Sequence, residues 1–301
     1  MLKPKVFRCA IGFLIACHCC CAANVKVGTP KAGFATTPDG IKIHYIEAGP
    51  SGEVANSGAI VFVPGWTMPA DIWEHQITHF SKTRRVVAIE PRSYGLSSQT
   101  TDGNFPEAHA LDIKAVLDQL KLQSVILVGW SLGVDDVAAY IERFGTSGIS
   151  ALVLVDELFI FERDSVFMKE YFDLSWSLQK DRSGATAKFV REMYHKPQGE
   201  EYLQRITRSA LLTPTNTAIA LLDAWVAHDR APMLSKIDKP TLIVSASYGG
   251  DQKYLETQRE MQKRIRASRL EIFDDAGHAL FVDDADRFNS LLDDFLTGAG
   301  R

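Results

Sequence analysis

The stretch Val125-Ile126-Leu127-Val128-Gly129-Trp130-Ser131-Leu132-Gly133 decides the reading of this chain. Its first four residues are a continuous apolar run, mostly β-branched, as in a strand buried on both faces. Gly-x-Ser-x-Gly follows at once, and a helical pattern runs over residues 135–144. So tight a passage from strand to helix forces the serine into a strained backbone conformation. Glycines at both flanks remove the Cβ atoms that would collide with the neighbouring strand and helix. The Ser131 hydroxyl is then held above the sheet, over a helix N-terminus that favours developing negative charge. This predicts an activated serine.

Outward from that turn, strands alternate with helices. Residues 41–46 alternate apolar and polar, as a half-exposed edge strand does. Residues 59–63, 86–89, 125–128, 151–155 and 241–244 are short β-branched runs, the pattern of parallel strands covered on both faces, and a last strand precedes Asp275. Ile113, Val116, Leu117 and Leu120 recur at helical spacing, as do Phe288, Leu291, Leu292 and Phe295. Gly145 is placed to cap the 135–144 helix. The fold class is therefore α/β, a mostly parallel open sheet with helices on both faces.

One region breaks the rhythm. From about 159 to 239, ~80 residues show helical segments such as 185–194 and 217–227 and no convincing strand. Because this insertion leaves and re-enters where strands end, it reads as a helical lid; the alternative is a subdomain without a part in catalysis.

The N-terminus is set apart from a domain expected over 35–301. Lys3, Lys5 and Arg8 precede an apolar run over 9–17 that is too short to span a bilayer. Residues 1–23 read as a signal peptide ending at Cys21-Ala22-Ala23. Leu14-Ile15-Ala16-Cys17 offers a second route, a lipoprotein anchored at Cys17. All five cysteines (9, 17, 19, 20 and 21) fall in this leader, which leaves no thiol in the body and fits an exported protein, periplasmic or secreted. Roughly 275 residues remain, enough for one large domain with an insertion. A net charge of −4 on 301 residues gives no reason to expect a nucleic-acid partner.

From about 41 to 296 the chain resembles the α/β-hydrolase superfamily. Pro64-Gly65-Trp66 follows the 59–63 strand, where the family usually has His-Gly-x. Glu90-Pro91-Arg92-Ser93-Tyr94-Gly95-Leu96-Ser97 is similar to its Asp-x-Arg-Gly-x-Gly-x-Ser turn, and Asp275-Ala276-Gly277-His278 occupies the place of its catalytic histidine. The Trp66 stretch with Ala70-Asp71-Ile72-Trp73-Glu74 resembles cofactor-free haloperoxidases and aryl esterases. Pro64 in place of His and Ser93 in place of Gly are departures that bear on the shape around the oxyanion site.

The resemblance implies a triad. A serine hydroxyl needs a base, and His278 fits: it follows a strand, comes after Gly277 and stands last in the order Ser, acid, His. The other histidines read as packed or surface residues. The acid is expected after the 241–244 strand, where Asp251 arrives about two residues late, across flexible glycines. Asp156, at the end of the preceding strand, is the rival, with Glu157 behind it; Asp251 would otherwise be a helix cap. By analogy the oxyanion donors are the backbone N–H groups of Trp66 and Leu132. Trp130 and Trp66 are candidates for the pocket wall. Asp135 and Asp136, in the first turn of the serine's helix, read as structural.

A serine at this turn argues against the dehalogenases and epoxide hydrolases of the fold, which need an Asp nucleophile. No metal-ligand spacing and no dinucleotide motif occurs, so neither metal nor cofactor is implied. The expected activity is hydrolysis of carboxylic esters through an acyl-enzyme. Carbon–carbon hydrolysis or perhydrolysis at the same triad is the alternative enzyme. A catalytically silent ligand-binding protein is the alternative of another class.

Overall fold

The serine-bearing strand occupies the middle of a single eight-stranded sheet. The computed structural model describes residues 29–50, 58–157, 159–160 and 163–299. The expected leader over 1–23, with Cys17, lies outside the described residues. The strands are β1 (Lys31–Thr36), β2 (Lys42–Ala48), β3 (Ile60–Val63), β4 (Val86–Ile89), β5 (Val125–Trp130), β6 (Ile149–Val155), β7 (Thr241–Ala246) and β8 (Ser268–Phe273). Their order is β1-β2-β4-β3-β5-β6-β7-β8. β2 runs antiparallel to both β1 and β4, and every other pairing is parallel.

The predicted strands are all present, with one correction. Residues 41–46 belong to β2, which is not the edge, because β1 pairs along its outer side through Lys31↔Glu47 to Thr36↔Lys42. The sequence of β1, Lys-Ala-Gly-Phe-Ala-Thr, buries only Ala35, so it carries no hydrophobic period to read.

The strand period of two divides the core. Ile60, Phe62, Val86, Ala88, Ile126, Val128, Val153 and Val155 face one side, where they meet Phe80 of α1 (Glu74–Phe80) and Phe288 and Leu292 of α10 (Ala285–Ala299). Val61, Val63, Val87, Ile89, Leu127, Leu152 and Leu154 face the other. There they pack against Ile113 and Val116 of α2 (Pro106–Gln119) and Val134, Val137 and Ile141 of α3 (Leu132–Phe144), with Met261 of α8 (Gln252–Arg264). Each fully buried Val, Ile or Phe contributes about 1.5–3 kcal/mol, and the alternation decides which of the two layers each residue joins. Gly145 caps α3 as read from the sequence: its φ is 72°, and its N–H donates to Ile141 O at 2.9 Å.

Between β6 and β7 the described residues form no strand. Four α-helices, α4 (Ser165–Lys180), α5 (Arg182–Glu192), α6 (Glu200–Ala210) and α7 (Thr215–Ala227), and a 3-10 helix at Ala231–Lys236 fill the interval. Leu178, Ala218, Leu221 and Leu222 from this insertion pack with Trp66, Tyr94 and Leu132, on the side of the sheet where the parallel strands end.

Candidate active site

Parallel strands deliver their carboxyl ends to one edge, and the loops that leave β5, β6, β7 and β8 bring the chemistry together there. Ser131 follows β5 with φ 52° and ψ −133°, a conformation that costs a non-glycine residue about 1–3 kcal/mol. Its N–H donates to Val155 O at 2.9 Å, and its carbonyl accepts from Val134 N at 2.7 Å. The strain is enforced by crowding. A Cβ on Gly133 would lie 2.5 Å from Pro64 O, and one on Gly129 would lie 2.6 Å from Gly133 O.

The same closeness builds the oxyanion side. A Cβ on Gly65 would stand 2.9 Å from the Ser131 Cβ, so glycine lets the Pro64-Gly65-Trp66 backbone run against the serine. Among the described residues, the N–H groups of Trp66 and Leu132 have no hydrogen-bond acceptor. Both remain available to a developing oxyanion. The Trp66 indole donates to Ala218 O at 2.7 Å, which ties this loop to α7. Of the two departures from the family pattern, Ser93 adopts the glycine-like φ of 66°. Its hydroxyl contacts Thr100 Oγ1 at 3.1 Å and accepts from Thr100 N at 3.0 Å.

His278 donates from Nδ1 to Asp156 Oδ2 at 2.7 Å, with the Asp156 side chain fully buried and the imidazole 23% exposed. Asp156 has φ 50° and is pinned by its own N–H to Val244 O at 2.8 Å. Its Oδ1 accepts from Ala246 N at 2.8 Å, Tyr254 OH at 2.9 Å and Ser245 Oγ at 3.2 Å; its Oδ2 also accepts from Tyr248 OH. Burial, and then the charge of Asp156, hold both phenols well above the usual tyrosine range, so they act as donors.

Of the two carboxylates weighed from the sequence, the one that meets His278 is Asp156. Asp251 does not reach His278; it caps α8, accepting from Tyr254 N at 3.1 Å. Gly249 and Gly250, at φ 70° and 86°, turn the chain into that helix. These glycines carry Asp251 to the surface, not inward. Trp130 also needs correction. It is 1% exposed and packs beside Trp73 and Phe281, and its Nε1 donates to His278 O at 2.8 Å. It positions the histidine loop and does not wall the pocket.

A cavity of about 280 Å³ joins these groups. Ser131, His278, Asp156, Glu157, Tyr248 and Tyr254 supply its polar lining. Trp66 and Leu132 supply apolar wall from the sheet side, and Leu174 of α4, Phe189 of α5 and Leu222 and Trp225 of α7 close it from the insertion. Among the described residues, His278 is the one histidine lining it. His44 pairs with Glu90 at 2.9 Å and His109 with Asp136 at 3.0 Å, both buried elsewhere. Asp135 faces Arg230 at 3.4 Å, so both carboxylates at the start of α3 have structural partners. The acidic cluster of Glu107, Glu142 and His228 is already occupied by the Arg230 guanidinium, at 2.7 Å from Glu107 and 2.8 Å from Glu142.

Sequence reading passed over three residues. Tyr248 and Tyr254 are distinguishable only once Asp156 is known to sit beneath them. Asp283, in α9 (Leu280–Asp283), accepts from Gly277 N at 2.8 Å and His195 N at 2.7 Å, and from Lys196 N and Gln198 Nε2 at 3.2 Å each. It clasps the histidine loop to the insertion, and nothing in its local sequence signals that.

The chain is similar to known proteins. A family model described as alpha/beta hydrolase fold matches residues 58–285. A non-heme haloperoxidase of Rhodococcus erythropolis is 26% identical over 288 residues, 87% of this chain and 98% of that enzyme. A bifunctional esterase/perhydrolase of Acinetobacter calcoaceticus is 36% identical over 124 residues, 41% of this chain and 44% of that enzyme. The solved esterase EaEST of Exiguobacterium antarcticum superposes with a TM-score of 0.80 at 25% identity, over 89% of this chain and all of that one. With a strained serine at the end of β5 and a histidine–carboxylate pair in one cavity, the chain belongs to the α/β-hydrolase family, in the company of its haloperoxidases and esterases.

Proposed function

We propose that this hydrolase cleaves carboxylic esters through an acyl-enzyme, with Ser131 as nucleophile, His278 as general base and Asp156 as the orienting acid. The observation that carries the reading is the 2.7 Å contact from His278 Nδ1 to Asp156 Oδ2 in the cavity that holds Ser131. Asp156 fixes the ring with Nδ1–H inward, which leaves the lone pair of Nε2 to take the serine proton. As Ser131 Oγ attacks the carbonyl carbon, its proton passes to Nε2 and the carbonyl oxygen gains charge beside the N–H groups of Trp66 and Leu132. Each such donor contributes about 3 kcal/mol to the transition state. The imidazolium returns the proton to the departing alkoxide, and water repeats the sequence on the acyl-serine.

The apolar walls formed by Leu174, Phe189, Leu222 and Trp225 suit the acyl or aryl part of the substrate, and in this reading the four insertion helices act as a lid. The esterase/perhydrolase relative supports hydrogen peroxide as a second acceptor for the same acyl group. Residues 1–23 would direct the enzyme out of the cytoplasm, as a signal peptide or with a lipid at Cys17. Hydrolysis of 4-nitrophenyl acetate by the wild type and by Ser131→Ala tests the reaction. The expected loss in kcat is at least about 10⁴-fold; an unchanged rate would remove Ser131 from the mechanism.

A further inference from the structure

Asp156 carries more donors than a triad acid needs. Three of them, Ala246 N–H, Tyr254 OH and Ser245 Oγ–H, fall on Oδ1 and lock the carboxylate from behind. The fourth, Tyr248 OH, falls on Oδ2, the oxygen that receives His278 Nδ1–H, and lies 3.2 Å from Nδ1 itself. Tyr248 leaves β7 after Ser247 with φ 48°. That is the strand end where the sequence led us to expect the acid. The residue is 45% exposed, but its hydroxyl reaches inward to the buried carboxylate. Its ring meets Tyr254 edge-on, with centroids 4.8 Å apart and an interplanar angle of 78°.

We propose that Tyr248 is a positioning residue of the His278–Asp156 pair: its hydroxyl shares Oδ2 with the imidazole and tempers the pull of the carboxylate on the imidazolium. This inference rests on the roles given above to Ser131, His278 and Asp156. A hydrogen bond to an ionised carboxylate stabilises that charge where it is, so each added donor leaves less of it to stabilise a neighbouring cation. Donors on Oδ1 orient the group. A donor on Oδ2 competes directly with the imidazole. Removing the Tyr248 hydroxyl would leave that oxygen's charge to the imidazolium alone. The other charged groups around the ring come from separate elements. Glu157 follows Asp156 in the cavity lining. Asp283 grips the loop at Gly277, and Asp275 on the same loop pairs with His195 at 3.3 Å and Lys196 at 3.5 Å. None of these shares Oδ2.

The test compares wild type, Tyr248→Phe and Tyr254→Phe by kcat/KM for 4-nitrophenyl acetate across the acid limb of the pH profile. Tyr248→Phe is expected to move that limb to higher pH by about half to one unit, with less than about a tenfold loss on the plateau. Tyr254→Phe, which removes a donor from Oδ1, moves it less. The pH dependence of fluorophosphonate labelling at Ser131 should follow the same order, which isolates the acylation step. A Tyr248→Phe profile superimposable on the wild type, whatever its plateau or melting temperature, would reduce Tyr248 to a packing residue. An equal or larger shift in Tyr254→Phe would also overturn the proposal. Ser131→Ala separates the two levels. If it keeps full activity, the triad reading itself fails; if it is inactive while Tyr248→Phe is unshifted, only the role of Tyr248 falls.

Discussion

Asp156 and Asp251 are the same residue type near the same sheet edge, and their surroundings are opposite. Asp156 is buried, carries donors on both oxygens and touches His278, whereas Asp251 is exposed and accepts from one helix N–H. Asp156→Asn should lower kcat about 10⁴-fold with little change in KM, because an amide no longer stabilises the imidazolium or fixes its tautomer. Asp251→Asn should stay within about twofold of wild-type turnover, since Asn caps a helix nearly as well as Asp. Kinetics of the two variants side by side checks both statements. Ser131 and His278 were legible in the sequence because their signals are local: a run of apolar residues followed by Gly-x-Ser-x-Gly, and a Gly-His after the last strand. The choice of acid was not, since it depends on which loop turns inward. Two glycines could have carried Asp251 either way. The two phenols that donate to Asp156 meet it only in three dimensions.

At the scale of elements, the candidate catalytic groups are held by ties between loops more than by the strands alone. α9 supplies Asp283, 8% exposed, which joins Gly277 to the turn between α5 and α6. Asp283→Ala leaves several part-buried donors without a partner and should cost about 1–2 kcal/mol in stability, read from denaturant unfolding. It should also lower kcat by up to about 10²-fold through displacement of His278. α3 poses a different problem. Burial first, and then the charge of Glu157, push the carboxyl of Asp135 well above the usual range, with Arg230 pulling it back. A carboxyl whose folded-state value is raised disfavours folding progressively as pH climbs above its unfolded value. The stability of Asp135→Asn relative to wild type should therefore rise as pH increases above about 4, as melts over that range would show. The elements themselves were largely readable, since continuous apolar runs marked the parallel strands. β1 escaped because a strand with one buried side chain has no pattern to display.

For the whole molecule, the sheet places four loop ends at one edge and the helical insertion covers them, so the integrity of the site depends on contacts distant in sequence. Arg230, 1% exposed, joins the end of the insertion to Glu107 of α2 and Glu142 of α3. Arg230→Met would leave the buried carboxylate of Asp135 without its cation and should destabilise the fold by about 3 kcal/mol, measurable by chemical denaturation. In the proposed mechanism this cover would exclude bulk water where the oxyanion forms and offer apolar walls to the substrate. The central claim is that Ser131 is activated by the His278–Asp156 pair, and intact mass after treatment with a fluorophosphonate tests it most directly. One adduct on the wild type, none on Ser131→Ala and strongly slowed labelling of Asp156→Asn is the predicted result. An adduct that persists in Ser131→Ala, or its failure to form on folded wild-type protein, would contradict the account.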